Sequence, residues 1–250
     1  MRRILLLLIL VALAGCAPED VEAALRFLQG SQRLYVVFEV EAVSGEPNIP
    51  DALDRTAAIV QRRLDLAGID AEAQGYSGET AVIVVQGYND NLDALIALVT
   101  RPGRVELVDV DKAPPALLVA PTDVLFATSA HPAPDGQADP DTGEPYPTVL
   151  DAVQVINAEA TLSEISGTWD VMLTFSPDHG AFLAEYTAAN IGTKLGILID
   201  GRVLSAPTIQ AQIGEEALIS GNFTEAEARE LAAVIGGGML PFPLTVSEVR

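Results

Sequence analysis

SPDHGAFLAEYTAANIGTKLGILIDGRVLSAPTIQAQI, residues 176–213, carries a helix and a hairpin in one uninterrupted run. Ser176-Pro177-Asp178 is a helix start: Ser offers an N-cap oxygen, and Pro at the first helical position gives up an N–H that has no intrahelical partner there. Phe182, Leu183, Tyr186 and Ala189 follow at helical spacing, and Gly192 ends the run. Lys194 to Ile199 and Arg202 to Ser205 then flank Asp200-Gly201. That pair predicts a two-residue hairpin, because both turn positions need positive φ and Asp-Gly tolerates it. A helix passing directly into a hairpin predicts an α+β fold.

Working outward, Trp169 to Phe175 and Val153 to Ala160 read as strands before this run, and Thr208 to Ile213 and Ala217 to Ser220 as strands after it. Thr224 and Glu227 make an S/T-x-x-E capping box for a helix bearing Ala228, Leu231, Ala232 and Ile235, which Gly236-Gly237-Gly238 ends. PFPLTVSEV, residues 241–249, is read as an edge strand, where proline is tolerated. Residues 148–250 thus form one α+β module. Before it, residues 112–147 hold eight prolines together with Gly136 and Gly143, and read as a Pro/Gly-rich linker.

Residues 33–111 form the other module. Leu34 to Glu41 is a strand; Asp51 caps a helix with Leu53, Ala57, Val60, Leu64 and Ala67 on one face, closed by Gly68. Asp70 to Tyr76 and Glu79 to Gln86 make a hairpin around Ser77-Gly78. Leu92, Leu95, Ile96 and Val99 mark a second helix, and Val105 to Val110 a fourth strand. The order β-α-β-β-α-β predicts a ferredoxin-like base module.

The N-terminus reads MRRILLLLILVALAGC. Its apolar run, Ile4 to Ala14, is about half of the ~20 residues a helix needs to cross a membrane, and is the core of a signal peptide. Leu13-Ala14-Gly15-Cys16 resembles the lipobox of bacterial lipoproteins, which makes residues 1–15 a signal, Cys16 the lipidation site and residues 16–32 a lipidated tether. The expected location is the extracytoplasmic side of the cell envelope, with the membrane reached through the lipid.

Composition narrows the function. The 250 residues carry 35 Asp and Glu against 14 Lys and Arg, a formal charge of −21 that becomes −23 once Arg2 and Arg3 leave with the signal. Such a surface repels phosphate backbones, so no nucleic-acid partner is expected. The 49% apolar content argues against disorder, and one Cys with two His excludes an intrachain disulfide and thiolate zinc sites. His131 and His179 have no Ser or Cys in a nucleophile context, and Gly236-Gly237-Gly238 follows a helix where a phosphate loop would open one. The chain reads as a non-enzyme without a cofactor. The metal candidate is calcium at Asp135, Asp139, Asp141 and Glu144, closely spaced carboxylates on a turn.

The run from Ser176 to Ile213, followed by ISGNFTEAEARELAAVIGGGMLPFPL (219–244), resembles the periplasmic P1 head of SecD, a subunit of the bacterial protein translocase. The matching positions are Thr187, Asn190, Gly192, Asp200, Gly201, Ser205, Ala206, Pro207, Ile219, Gly221, Phe223, Thr224, Gly238, Leu240 and Pro241. TAAIVQRRLDLAGID and VIVVQGY are similar to the base of the same region, so the resemblance covers most of residues 27–250. It departs at FLQGS, Phe27 to Ser31, where the family has Asp-Leu-x-Gly-Gly, and in the absence of the family's membrane helices, which hold its proton-coupling residues. The resemblance implies binding of translocating or newly exported polypeptide, or of the Sec translocase, without use of the proton motive force. The alternative is an envelope-binding lipoprotein that reuses the head fold for an unrelated ligand.

Overall fold

A computed structural model describes residues 34–40, 49–77, 81–87, 91–118, 124–164 and 167–249. Cys16, the signal and tether, and Phe27 to Ser31 lie outside the described residues. The chain divides into two compact units, both α+β.

The first unit comprises residues up to Gln61, Ile69–Thr100 and Pro241–Arg250. Its strands are β1 (Leu34–Val40), β2 (Ala71–Tyr76), β3 (Val82–Gly87) and β11 (Leu244–Val249), in the antiparallel order β11-β1-β3-β2. Val36, Phe38, Ile83 and Val85 lie at the core, and Val37, Val82 and Val84 form a small cluster with Tyr76 on the alternate positions. Helix α1 (Ile49–Ala67) buries Leu53 and Val60 as their spacing predicts, and α2 (Leu92–Thr100) buries Leu95 and Val99 of its expected face together with Leu98, while Leu92 and Ile96 are half-buried.

The fourth strand of this sheet is not the expected one. The segment β4 (Val105–Asp109) pairs elsewhere, and β11, some 140 residues later in the chain, takes the place beside β1. The burial patterns give the reason. β4 is buried at four consecutive positions, which suits a central strand covered on both faces. β11 is mostly exposed and follows Pro241 and Pro243, which suits an edge. The edge-strand reading of 241–249 holds, and the ferredoxin-like order is completed by the far end of the chain.

The second unit comprises Arg62–Gly68 and Arg101–Leu240. One of its sheets has the order β5-β4-β8-β9, with β5 (Thr148–Leu150), β8 (Leu195–Ile199) and β9 (Arg202–Ser205). The other has the order β10-β7-β6, with β6 (Val155–Leu162), β7 (Trp169–Phe175) and β10 (Glu216–Phe223). Helices α3 (Pro177–Ala189) and α4 (Glu225–Gly237) complete it. The run Thr208 to Ile213 is no strand; only Thr208 makes a bridge, to Lys194.

Residues 112–147 are not a linker. Phe126 and Tyr146 are among the largest fully buried side chains of the described residues, and they pack with Val108, Val110, Ala113, Leu198 and Val203 in one core. Their ring centroids lie 5.3 Å apart. Bridges Leu125 to Arg202, Phe126 to Gln137 and Thr128 to Tyr146 stitch the segment to itself and to β9. Its prolines mark turns between these anchors, and turn density alone does not report whether the residues between are buried.

Candidate functional site: an open three-stranded sheet

The sheet β10-β7-β6 has one covered face. Val171, Leu173 and Ile219 are fully buried, Ala158 nearly so, and α4 packs on β6 and β7 through a face rich in Ala and Gly. Gly236 permits the closest approach: a Cβ there would sit 3.2 Å from that of Ala158. On the opposite face the register sets Leu218, Met172 and Glu159 in one row, with Leu218 46% exposed. Both outer strands end the sheet among the described residues, so β6 and β10 each keep one edge without a ladder partner. β6 is eight residues long, with Ile156 47% and Leu162 55% exposed.

Arginines hold the start of β6 and the end of α4. Arg62 Nη2 donates to the Ile156 carbonyl at 2.8 Å. Arg63 is fully buried and donates to the carbonyls of Arg101 (2.5 Å), Pro102 (3.1 Å) and Gly238 (2.7 Å). Burial pulls its pKa down to about 10, Asp200 opposes that and Arg101 adds to it, so the guanidinium stays charged at neutral pH. Gly103 and Gly237 are glycine because a Cβ at either would collide with the Arg63 side chain. Beside this knot lies a cavity of about 440 Å³, lined by Arg62, Gly103, Gln154, His179, Gly237 and Met239 among others. His179 Nδ1 accepts from the Gln154 N–H at 2.8 Å, which turns the chain into β6.

The residues that carry the sequence resemblance occupy structural positions. Asp200 and Gly201 have φ of 52° and 78°, the paired positive values of the hairpin turn, and Asp200 Oδ1 accepts from the Arg104 N–H at 2.9 Å. Thr187 is fully buried; its hydroxyl donates to the Leu183 carbonyl and accepts from the Ile213 N–H at 2.9 Å. Asn190 donates to the Tyr186 carbonyl, Gly192 has φ 96°, and the Leu240 N–H reaches the Pro102 carbonyl. Thr224 and Glu227 form the full capping box, and its hydrogen bonds, backbone first, hold the Glu227 carboxyl below the ordinary range. Ser176 stands at the N-cap of α3, but its hydroxyl makes no capping bond; Pro177 and the extended Ser176 backbone start the helix.

The expected calcium ligands do not converge. Asp139 is buried and its Oδ1 accepts from the Asp141 N–H at 2.9 Å, an Asx turn, while Asp135, Asp141 and Glu144 are exposed. Burial, then Asp139 and Asp141, raise the pKa of the neighbouring Tyr146. Among the described residues no helix is long and apolar enough to cross a membrane.

Comparison with known proteins agrees with this geometry. Residues 141–242 match the family described as SecDF, P1 head subdomain. Protein translocase subunit SecD of Magnetococcus marinus is 29% identical over 212 residues, 80% of this chain and 39% of that protein. SecD of Sebaldella termitidis is 32% identical over 218 residues, covering 86% and 46%. Protein translocase subunit SecDF of Thermus thermophilus is 29% identical, covering 99% and 34%. The chain therefore spans less than half the length of these relatives. Among solved structures, SecDF in its super-membrane-facing form superposes with a TM-score of 0.66 at 25% identity, over 89% of this chain and 30% of that one. A second, described as a membrane component SecDF that enhances protein export, gives 0.62 at 26% identity over 86% of this chain and 99% of its own. The chain is similar to the P1 region of SecD and SecDF along most of its length.

Proposed function

We propose that this chain serves protein export as a lipid-anchored, extracytoplasmic counterpart of the SecD P1 region, binding extended polypeptide as it leaves the translocon. The observation that carries the reading is the free edge of β6, with its two exposed apolar side chains. An incoming chain adds to such an edge as a further strand. Its main chain supplies the hydrogen bonds, which makes recognition tolerant of sequence, as a general export factor requires. Arg62 already occupies the Ile156 carbonyl, so the usable edge begins beyond it. The protein acts by binding rather than catalysis and makes no use of the proton motive force; Cys16 carries the acyl chains that hold it to the membrane. Docking to the Sec translocase places the edge beside its client.

The test is a photo-cross-linker at exposed Glu159 of β6, with a second at exposed Asp178 of α3 as control, in cells holding a stalled secretory precursor. Capture of the precursor from position 159 and not from 178 is expected. Capture of neither precursor nor translocase from β6 overturns the reading. Palmitate labelling that persists in Cys16→Ser overturns the lipid anchor separately.

A further inference from the structure

In the second unit three side chains of metal-ligating type face one another. Glu106 comes from the middle of β4, Asp151 follows β5 directly, and His131 comes from the segment between. One ligand atom from each lies within 4.8 Å of the other two. His131 Nε2 is 2.9 Å from Asp151 Oδ2. Glu106 is fully buried on a strand whose neighbours are apolar, an expensive place for a carboxylate without a partner.

The hydrogen bonds leave an opening of defined chemistry. Thr148 Oγ1 donates to Glu106 Oε1 at 2.6 Å and accepts from the Ala130 N–H at 3.0 Å, which orients that carboxylate. Glu106 Oε2 and Asp151 Oδ1 are both buried and have no hydrogen-bond partner. Among the described residues, no Lys or Arg pairs with either carboxylate. Two carboxylates and an imidazole converge, and each carboxylate keeps one buried oxygen without a partner, a demand that a cation would meet.

We propose that Glu106, His131 and Asp151 bind one divalent transition-metal ion of the zinc class. Zinc takes imidazole nitrogen and carboxylate oxygen at about 2.0–2.2 Å, with three protein ligands and an open fourth position, whereas calcium takes six to eight oxygens. The imidazole selects for zinc and its later first-row neighbours over magnesium, calcium or manganese. The ion takes the place of the direct contact between His131 Nε2 and Asp151 Oδ2. Thr148 then acts as a positioning residue that fixes the Glu106 carboxylate from behind. The site ties β4, the end of β5 and the 131 turn together, and it stands independently of the polypeptide-binding reading.

The experiment is calorimetric titration of the full chain, in detergent and stripped of metal, with Zn²⁺ alone, and with Co²⁺ as a spectroscopic probe of nitrogen ligation. One ion per chain is expected, with a Kd of about 1 μM or tighter. His131→Gln and Asp151→Asn, both at partly exposed positions that spare the fold, each weaken it by about 10-fold or more. His179→Gln leaves it unchanged. Glu106→Gln removes binding as well, but because Glu106 is buried the two partly exposed variants decide. Absence of stoichiometric Zn²⁺ binding, or binding that His131→Gln leaves intact, overturns the proposal.

Discussion

The two sheets of the second unit bury their strands in opposite ways. In β5-β4-β8-β9 the central strands are enclosed: every residue of β8 is buried, and the segment around Phe126 and Tyr146 covers the side where Val108 and Leu198 lie. In β10-β7-β6 one face rests on α4 while the other, with both edges, is left open. The enclosed sheet holds Glu106 fully buried on β4, while His131 and Asp151 stand half-exposed beside it. An open sheet keeps unpaired N–H and C=O groups, a liability for a free protein that becomes useful when the partner is an extended chain.

The contrast is most directly broken at Phe126. Phe126→Ala removes the ring that covers the enclosed sheet and should cost about 3–5 kcal/mol, read as a fall in the urea midpoint with an unchanged slope. A value near zero returns residues 112–147 to the status of a linker. Arg63→Ala takes the donor from the Arg101 and Gly238 carbonyls, while Pro102 keeps that of the Leu240 N–H, and should cost about 2–4 kcal/mol by the same measurement, on the scale of roughly 1–3 kcal/mol for each unsatisfied buried group.

Thr224→Ala removes the cap of the helix beneath the open sheet and should cost about 1 kcal/mol, seen as a lower Tm. It also has a pH signature. Because the folded-state pKa of Glu227 is depressed, its contribution is present above the ordinary carboxylate pKa and is lost as pH falls through the folded value; the variant keeps the backbone hydrogen bond and loses the hydroxyl's, so it flattens that acid limb in part. The smallest stability effect belongs to the open edge. Ile156→Lys with Leu162→Lys should change stability by no more than about 0.5 kcal/mol while abolishing precursor cross-linking from β6, which separates the edge's binding role from any structural one.

Much of this fold was legible as local pattern. The Asp200-Gly201 hairpin, the Thr224 capping box, the two helices of the first unit and the edge character of 241–249 all follow from neighbours within a few residues. What escaped was long-range. Glu106 lies within VELVDV, read only as a strand, and nothing near it in the chain announces His131 and Asp151, since the three meet only through strand pairing and the fold-back between residues 106 and 151. The carboxylates around Asp139 drew notice as metal ligands by proximity in sequence, yet there the backbone N–H of Asp141 is closer and takes Asp139 first.

By itself the sequence determined the helices, the turn chemistry, the α+β class and the acidic surface, because helix period, capping and positive φ are decided by residues that touch along the chain. Only the tertiary structure decided which apolar strand stands beside β1, whether a proline-rich stretch is buried, and which edge is left free. Those outcomes depend on competition among surfaces far apart in sequence: β4 is buried along nearly its whole length and goes to the interior of a sheet, and β11, with one side to hide, is left the edge.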